Sequence, residues 1–247
     1  QRQMCIRDSY CAISPDGQTI AFSYQGDIYT VPSSGGKARQ LTTHPAHDTR
    51  PVWSPDGQRI AFASNRSGNF DIFLMNKEGG EPKRLTNHST NEYPTTFKDN
   101  GHILYLANVL QDAKDIQFPG TRFMQVYEIS TDGGRPDLYS SLYMENIALS
   151  KDGSKLLYND YKGYEDPWRK HHQSSITRDI WLCTLGKDRS FQKVTTFGGE
   201  DRNPVWAADG ASFYYLSEEK GSFNIFKKDL AGNLSLIHIS EPTRLRR

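Results

Sequence analysis

Pro51-Val52-Trp53-Ser54-Pro55-Asp56-Gly57-Gln58-Arg59-Ile60-Ala61-Phe62, continued by Gly68-Asn69-Phe70-Asp71-Ile72-Phe73 and closed by Gly79-Gly80 and Arg84-Leu85-Thr86, is the stretch that decides the fold. It contains short apolar segments that alternate at period two and are cut by turn residues too often for helices of useful length. Ser54-Pro55-Asp56-Gly57 places Pro and Asp where a type I turn wants them and leaves Gly free to take positive φ. A strand precedes this turn, a second follows it, Asp71-Ile72-Phe73 marks a third, and the Gly pair turns the chain into a fourth ending in Leu-Thr.

Working outward, the same unit recurs. The tetrad stands upstream as Ser14-Pro15-Asp16-Gly17, and in weaker form as Lys98-Asp99-Asn100-Gly101, Ser150-Lys151-Asp152-Gly153 and Ala207-Ala208-Asp209-Gly210. Its glycines, at 17, 57, 101, 153 and 210, are separated by 40, 44, 52 and 57 residues, so the later units carry insertions. Four residues before each glycine stands an apolar residue: Ile13, Trp53, Phe97, Leu149 and Trp206. The third-strand signature recurs as Asp27-Ile28-Tyr29, Gln125-Val126-Tyr127, Asp179-Ile180-Trp181 and Asn224-Ile225-Phe226. Four short strands repeated every 40 residues or so describe a propeller blade. The expectation is an all-β chain of about five four-stranded blades, at 10–42, 50–86, 93–139, 145–195 and 202–234. One blade cannot bury both faces, so each stacks on its neighbours, with Trp53 and Trp206 as core residues between blades.

Composition narrows the partners. The net charge of +1 gives no electrostatic case for nucleic acid, and no apolar run approaches the length of a membrane helix. Cys5, Cys11 and Cys183 form no metal-like cluster, and Cys183 reads as a small buried hydrophobe. His44, His47 and His88 fall in loops after the fourth strands, where repeat equivalence favours a structural role over a metal site. The Val109–Phe123 insertion, with Asp112, Asp115 and Arg122, lacks calcium-loop spacing. The blade-four insertion is charge-rich, and long insertions on a rigid scaffold are where binding tends to sit. Its Glu165, Asp166, Trp168, Arg169, His171 and His172 are the candidates for partner contact. Ser174 and Ser175 lie near His171, but neither an oriented base nor a nucleophile elbow accompanies them. No catalytic, cofactor-binding or metal-binding residue is assigned, and the chain itself reads as no enzyme.

The run Pro-x-Trp-Ser-Pro-Asp-Gly-x-x-Ile-Ala-Phe, followed by Gly-Asn-Phe-Asp-Ile-Phe and a Gly-Gly/Leu-Thr ending, resembles the TolB-type propeller repeat, with its best copy at Pro51–Thr86. With the insertion from Tyr161 to His172 leading into Thr177-Arg178-Asp179-Ile180-Trp181, the blades look most like the propeller region of bacterial tricorn-type serine peptidases. That resemblance implies propellers of six or seven blades, so five would form an incomplete, open arc. It also implies a separate catalytic half, a role in gating or channelling peptides, and an exported, periplasmic parent. Residues 1–9 and 235–247 break the repeat and resemble translated sequencing-adapter read-through, and are read as non-native. The preferred reading is a non-catalytic propeller of a tricorn-like peptidase, serving substrate access or domain assembly. A TolB-like protein-binding scaffold of the cell envelope and the propeller of a prolyl-oligopeptidase-type hydrolase stand as alternatives.

Overall fold

The structure, a computed structural model, describes residues 10–108, 124–163 and 174–237. Among these there is no helix, and twenty strands form five four-stranded antiparallel sheets, each strand pairing with the next in sequence. This is the β-propeller blade that the repeat predicts. The chain divides into two compact units, Gln1–Tyr143 and Met144–Arg247.

The first unit holds three blades. The first blade comprises β1 (Cys11–Ile13), β2 (Thr19–Tyr24), β3 (Asp27–Pro32) and the short β4 (Arg39–Gln40). The second comprises β5 (Asp48–Trp53), β6 (Arg59–Ser64), β7 (Asp71–Asn76) and β8 (Gly79–Arg84). The third comprises β9 (Glu92–Asp99), β10 (His102–Ala107), β11 (Gln125–Ser130) and β12 (Asp137–Ser140). In the second unit the fourth blade runs β13 (Met144–Leu149), β14 (Lys155–Asp160), β15 (Ile180–Thr184) and β16 (Ser190–Lys193). The fifth runs β17 (Asp201–Trp206), β18 (Ser212–Ser217), β19 (Asn224–Asp229) and β20 (Leu234–Ile237).

Stacking explains why the middle strands are apolar on both faces. In β6, Ile60 and Phe62 join the cluster with Ala21, Ile28 and Leu41 of the first blade, while Ala61 between them joins the cluster with Phe97, Ile103 and Tyr105 of the third. In β7 the split repeats, Phe73 and Met75 on one side and Ile72 and Leu74 on the other. The period-two alternation thus assigns residues to two cores, not to core and solvent. The second unit builds its core the same way from Leu157, Ile180, Phe213, Tyr215 and Phe226.

Local chemistry closes each turn. Ser54 Oγ donates to Asp56 Oδ1 at 2.6 Å and accepts from the Arg59 amide at 2.9 Å, while the Asp56 carboxylate accepts the Gln58 amide at 3.0 Å. Gly57 takes φ +66°, the left-handed conformation that favours glycine. The Ser14 and Ser150 turns repeat these bonds. The Leu-Thr endings have an equally specific use. Thr42, Thr86 and Thr195 Oγ1 accept the amides of Ile28, Ile72 and Ile180 at 2.9–3.0 Å, tying the end of each outer strand to the start of the third.

Two expectations are refined. Trp53 and Trp206 are only partly buried, because each lies at the rim of its core with its indole N–H directed outwards from the blade. Trp53 Nε1 donates to the Ala12 carbonyl of β1 at 3.1 Å, and Trp206 Nε1 to the Ala148 carbonyl of β13 at 2.9 Å, each in the preceding blade. Gly79-Gly80, expected in a turn, opens β8; a Cβ on Gly79 would come within 3.3 Å of the Leu41 carbonyl oxygen.

Candidate functional site

The expected partner-contact residues Glu165, Asp166, Trp168, Arg169, His171 and His172 lie outside the described residues, as does the Val109–Phe123 insertion, while Ser175 is exposed in the turn that follows the blade-four insertion. What the structure describes is the stem from which the blade-four insertion springs: Asp160 to Gly163 going out and Ser174 to Asp179 returning.

The polar groups of the stem are matched. Asp160, at the end of β14, accepts the Asp179 amide at 2.8 Å through Oδ1 and the Trp181 indole N–H at 3.0 Å through Oδ2. Lys162 clamps the two sides by pairing with Asp179 and Asp160 and donating to the Thr177 carbonyl at 2.9 Å. Burial works against the Lys162 charge, but these two carboxylates outweigh it and hold its pKa above the ordinary value. On the returning side, Ser174 and Thr177 close a turn in which Thr177 Oγ1 donates to the Ser174 carbonyl at 2.9 Å.

Arg178 is the hub. Its Nε donates to Glu145 at 2.7 Å and its Nη1 to Glu200 at 3.1 Å, and the Tyr161 ring lies 5.6 Å from the guanidinium carbon. Burial opposes its charge, and the two glutamates more than offset that, so its pKa is raised. Such charge-assisted bonds fix orientation as well as energy. Beneath the hub, fully buried Asn159 donates to the Asp179 and Asp201 carbonyls and accepts from the Asn203 amide at 2.9 Å. Asn146 completes the amide network, donating to Asn159 and Asn203. Asn146 and Asn203 both take positive φ, at the register shifts of β13 and β17. Asparagine tolerates that conformation and its amide is needed there.

The histidines serve their own loops. His44 Nδ1 accepts the Ala46 amide, His47 meets the Phe70 ring edge-on, and His88 Nδ1 is paired with Thr90. Among the described residues no group of three or more His, Cys, Asp or Glu is disposed to hold a metal. Chemically the stem draws the chain on the two sides of the insertion together within a balanced set of charges.

Sequence reasoning missed the acids buried where the blades begin. Asp48, Glu92 and Asp201 each stand six residues after the threonine of a Leu-Thr or Val-Thr ending and open a first strand almost fully buried. That spacing was available as a signal. Asp201 is pushed up to about 6, chiefly by burial, and Glu92 to about 7 for the same reason.

Comparison with known proteins accords with this architecture. Residues 9–240 match the model of the tricorn protease N-terminal beta propeller domain. The tricorn protease homolog of Saccharolobus solfataricus is 23% identical over 222 residues, covering 87% of this chain and 19% of that relative's length. The crystal structure of the tricorn protease superposes with a TM-score of 0.70 at 20% identity, covering 94% of this chain and 22% of its own. The structure of putative TolB from Agrobacterium tumefaciens superposes with a TM-score of 0.69 at 18% identity, covering 92% and 79%. At these identities the superpositions speak to the fold, and the sequence match speaks to descent: the chain belongs to the tricorn protease N-terminal β-propeller family.

Proposed function

We propose that this chain is a non-catalytic propeller of a tricorn-like peptidase and serves substrate access or domain assembly. The observation that carries the reading is the family match from residue 9 to residue 240, to a domain named as the N-terminal propeller of a protease. The chain spans only 19% of the Saccharolobus relative, so the chemistry is assigned to a portion of the parent beyond the matched segment. The clamped stem at Lys162 and Arg178 supports a presenting role, because a loop held at both feet loses less entropy on meeting a partner. The partner is a peptide or a protein, the parent's own catalytic half included.

The test compares the full parent with this chain on unstructured fluorogenic peptides, and adds the parent carrying Arg178→Glu. Cleavage by the parent and none by the chain supports the reading, as does a fall in kcat/KM for long peptides in the variant with short ones unaffected. Cleavage by the chain alone overturns it. A second reading, a TolB-like scaffold that docks protein partners, draws on the 79% coverage of the putative TolB structure. It takes over if the parent cleaves nothing and retains a stable protein partner.

A further inference from the structure

Each unit contains an acidic pair at a blade junction, and the two pairs occupy equivalent places in the repeat. The first member stands at the start of a third strand: Asp71 opens β7 in the second blade, and Asp179 immediately precedes β15 in the fourth. The second member opens the first strand of the following blade: Glu92 and Asp201. All four are at most 3% exposed. A buried carboxylate without a matching cation or donors is costly, and it commonly regains neutrality by keeping its proton.

The cations go to one member of each pair. Asp71 pairs with Arg84 at 2.8 Å, and Asp179 pairs with Lys162 and, at 2.8 Å, with Lys193. Glu92 and Asp201 face hydroxyl groups instead. Thr86 and Tyr105 lie beside Glu92, with the His88 amide; Thr195 and Ser217 lie beside Asp201. Glu92 Oε2 and both Asp201 oxygens lack a hydrogen bond of good geometry, and so does the hydroxyl of Tyr105, which is fully buried against Glu92. Burial raises Asp71 as well, and its oxygens share with Glu92 the lack of a well-formed hydrogen bond, but Arg84 at 2.8 Å favours its charged form. The Asp71 charge in turn disfavours ionisation of Glu92, so with Arg84 on Asp71 the proton belongs to Glu92.

We infer that each unit stores one carboxylic-acid proton at a blade junction, on Glu92 in the first and on Asp201 in the second, and that losing these protons towards alkaline pH loosens the junctions. Among the described residues, few other charged groups face the sites. Around Glu92 these are Asp71 and Arg84, with the Tyr105 and Tyr127 phenols behind. Around Asp201 they are Asp179 with its lysines, Glu219, and the Tyr215 phenol.

The first and second blades meet at a junction that uses the other solution. Asp48 opens β5 in the same position, and Arg66 grips both its oxygens, at 3.1 and 2.9 Å. Arg66 stands two residues after Ser64, the residue paired with Asp48, and its amide donates to Ser64 Oγ. In the fifth blade the residue paired with Asp201 is Ser217, and the one two further on is Glu219, whose amide donates to Ser217 Oγ. Where one junction has an arginine, its counterpart has an exposed glutamate.

The sign follows from the direction of the shifts. Burial first, and the neighbouring carboxylate after it, raises Glu92 from 4.5 to about 7 and Asp201 from 3.8 to about 6. The folded state binds these protons more tightly, so their contribution is complete below the unfolded values and is lost as pH rises through the folded ones. The folding equilibrium constant should fall about 200-fold through Glu92 and about 60-fold through Asp201 between pH 4 and pH 8, each unit of pKa being tenfold.

The test is urea unfolding of this chain at pH 4.5 to 8, with proton release measured potentiometrically and the carboxylic-acid C=O stretch followed by infrared difference spectroscopy. The wild type should release protons on unfolding at pH 5.5 and show an acid band that disappears as pH rises towards 8. Glu219→Arg, a surface change that copies Arg66, should abolish the pH dependence due to Asp201. Glu92→Gln should abolish the rest. Absence of both proton release and the acid band in the wild type overturns the inference, whether or not the variants fold. Unchanged proton release in Glu219→Arg overturns it for the second unit.

Discussion

The Ser-x-Asp-Gly turns and the blade junctions are both organised around a carboxylate, and they handle its charge in opposite ways. At the turns, Asp16, Asp56 and Asp152 stand in solvent and collect a serine hydroxyl and backbone amides. The Ser150 hydroxyl, then Ser154, holds Asp152 down to about 2. At the junctions, Glu92 and Asp201 are shut away from water among hydroxyls and are pushed up instead. Donors aimed at a carboxylate favour its charged form, and burial without a cation favours its neutral form. The residue type therefore says little about charge; the number of donors and the access of water decide it.

The hardest test of that contrast removes the cation from the junction that has one. Arg66→Ala strands the fully buried Asp48 and should cost about 3 kcal/mol at neutral pH, read from urea unfolding. If the loss is negligible, buried acids at these junctions do not need compensation and the contrast fails. A comparable effect of opposite sign is expected from Glu92→Gln, which replaces an acid that must be deprotonated at alkaline pH. It should stabilise the chain at pH 8 by about 3 kcal/mol and near pH 5 by less than about 1 kcal/mol, since the shift favours the folded state only while the proton is bound. The mildest case lies at the turns. Ser150→Ala removes the main donor to Asp152 and should lower the unfolding temperature slightly at pH 7. Because the folded pKa is lowered, that contribution exists above 3.8 and disappears as pH falls towards 2, the reverse of the junction's window. Thermal unfolding at pH 2, 4 and 7 separates the two.

The blades were legible because their signals are local. A Pro-Asp-Gly turn, a glycine pair and an apolar residue four before the marker glycine depend on neighbours in sequence, and they recur often enough to be recognised. The partial exposure of Trp53 and Trp206 was not legible, since an indole reads as core until its bond to the Ala12 or Ala148 carbonyl is seen. The junction acids were hidden for a related reason. Asp201 sits in Gly198-Gly199-Glu200-Asp201-Arg202, which reads as a solvated loop, and its burial comes from packing against strands well removed in sequence. For the insertion, charge and length pointed to the segment, while Arg178, which anchors its stem, stood unremarked among strand-flanking residues.

The indole bonds also bear on how such chains change over generations. Trp53 and Trp206 recognise the blade before them through a main-chain carbonyl, a group every residue possesses. A blade docked by this device makes no demand on the side chain it contacts there. Duplication, loss or exchange of a whole repeat would leave the donor with an acceptor, and neighbouring blades could drift apart in sequence without breaking their latch. Modularity of this kind accommodates units of 40 and 57 residues in one chain while the two indole seams keep a common pattern.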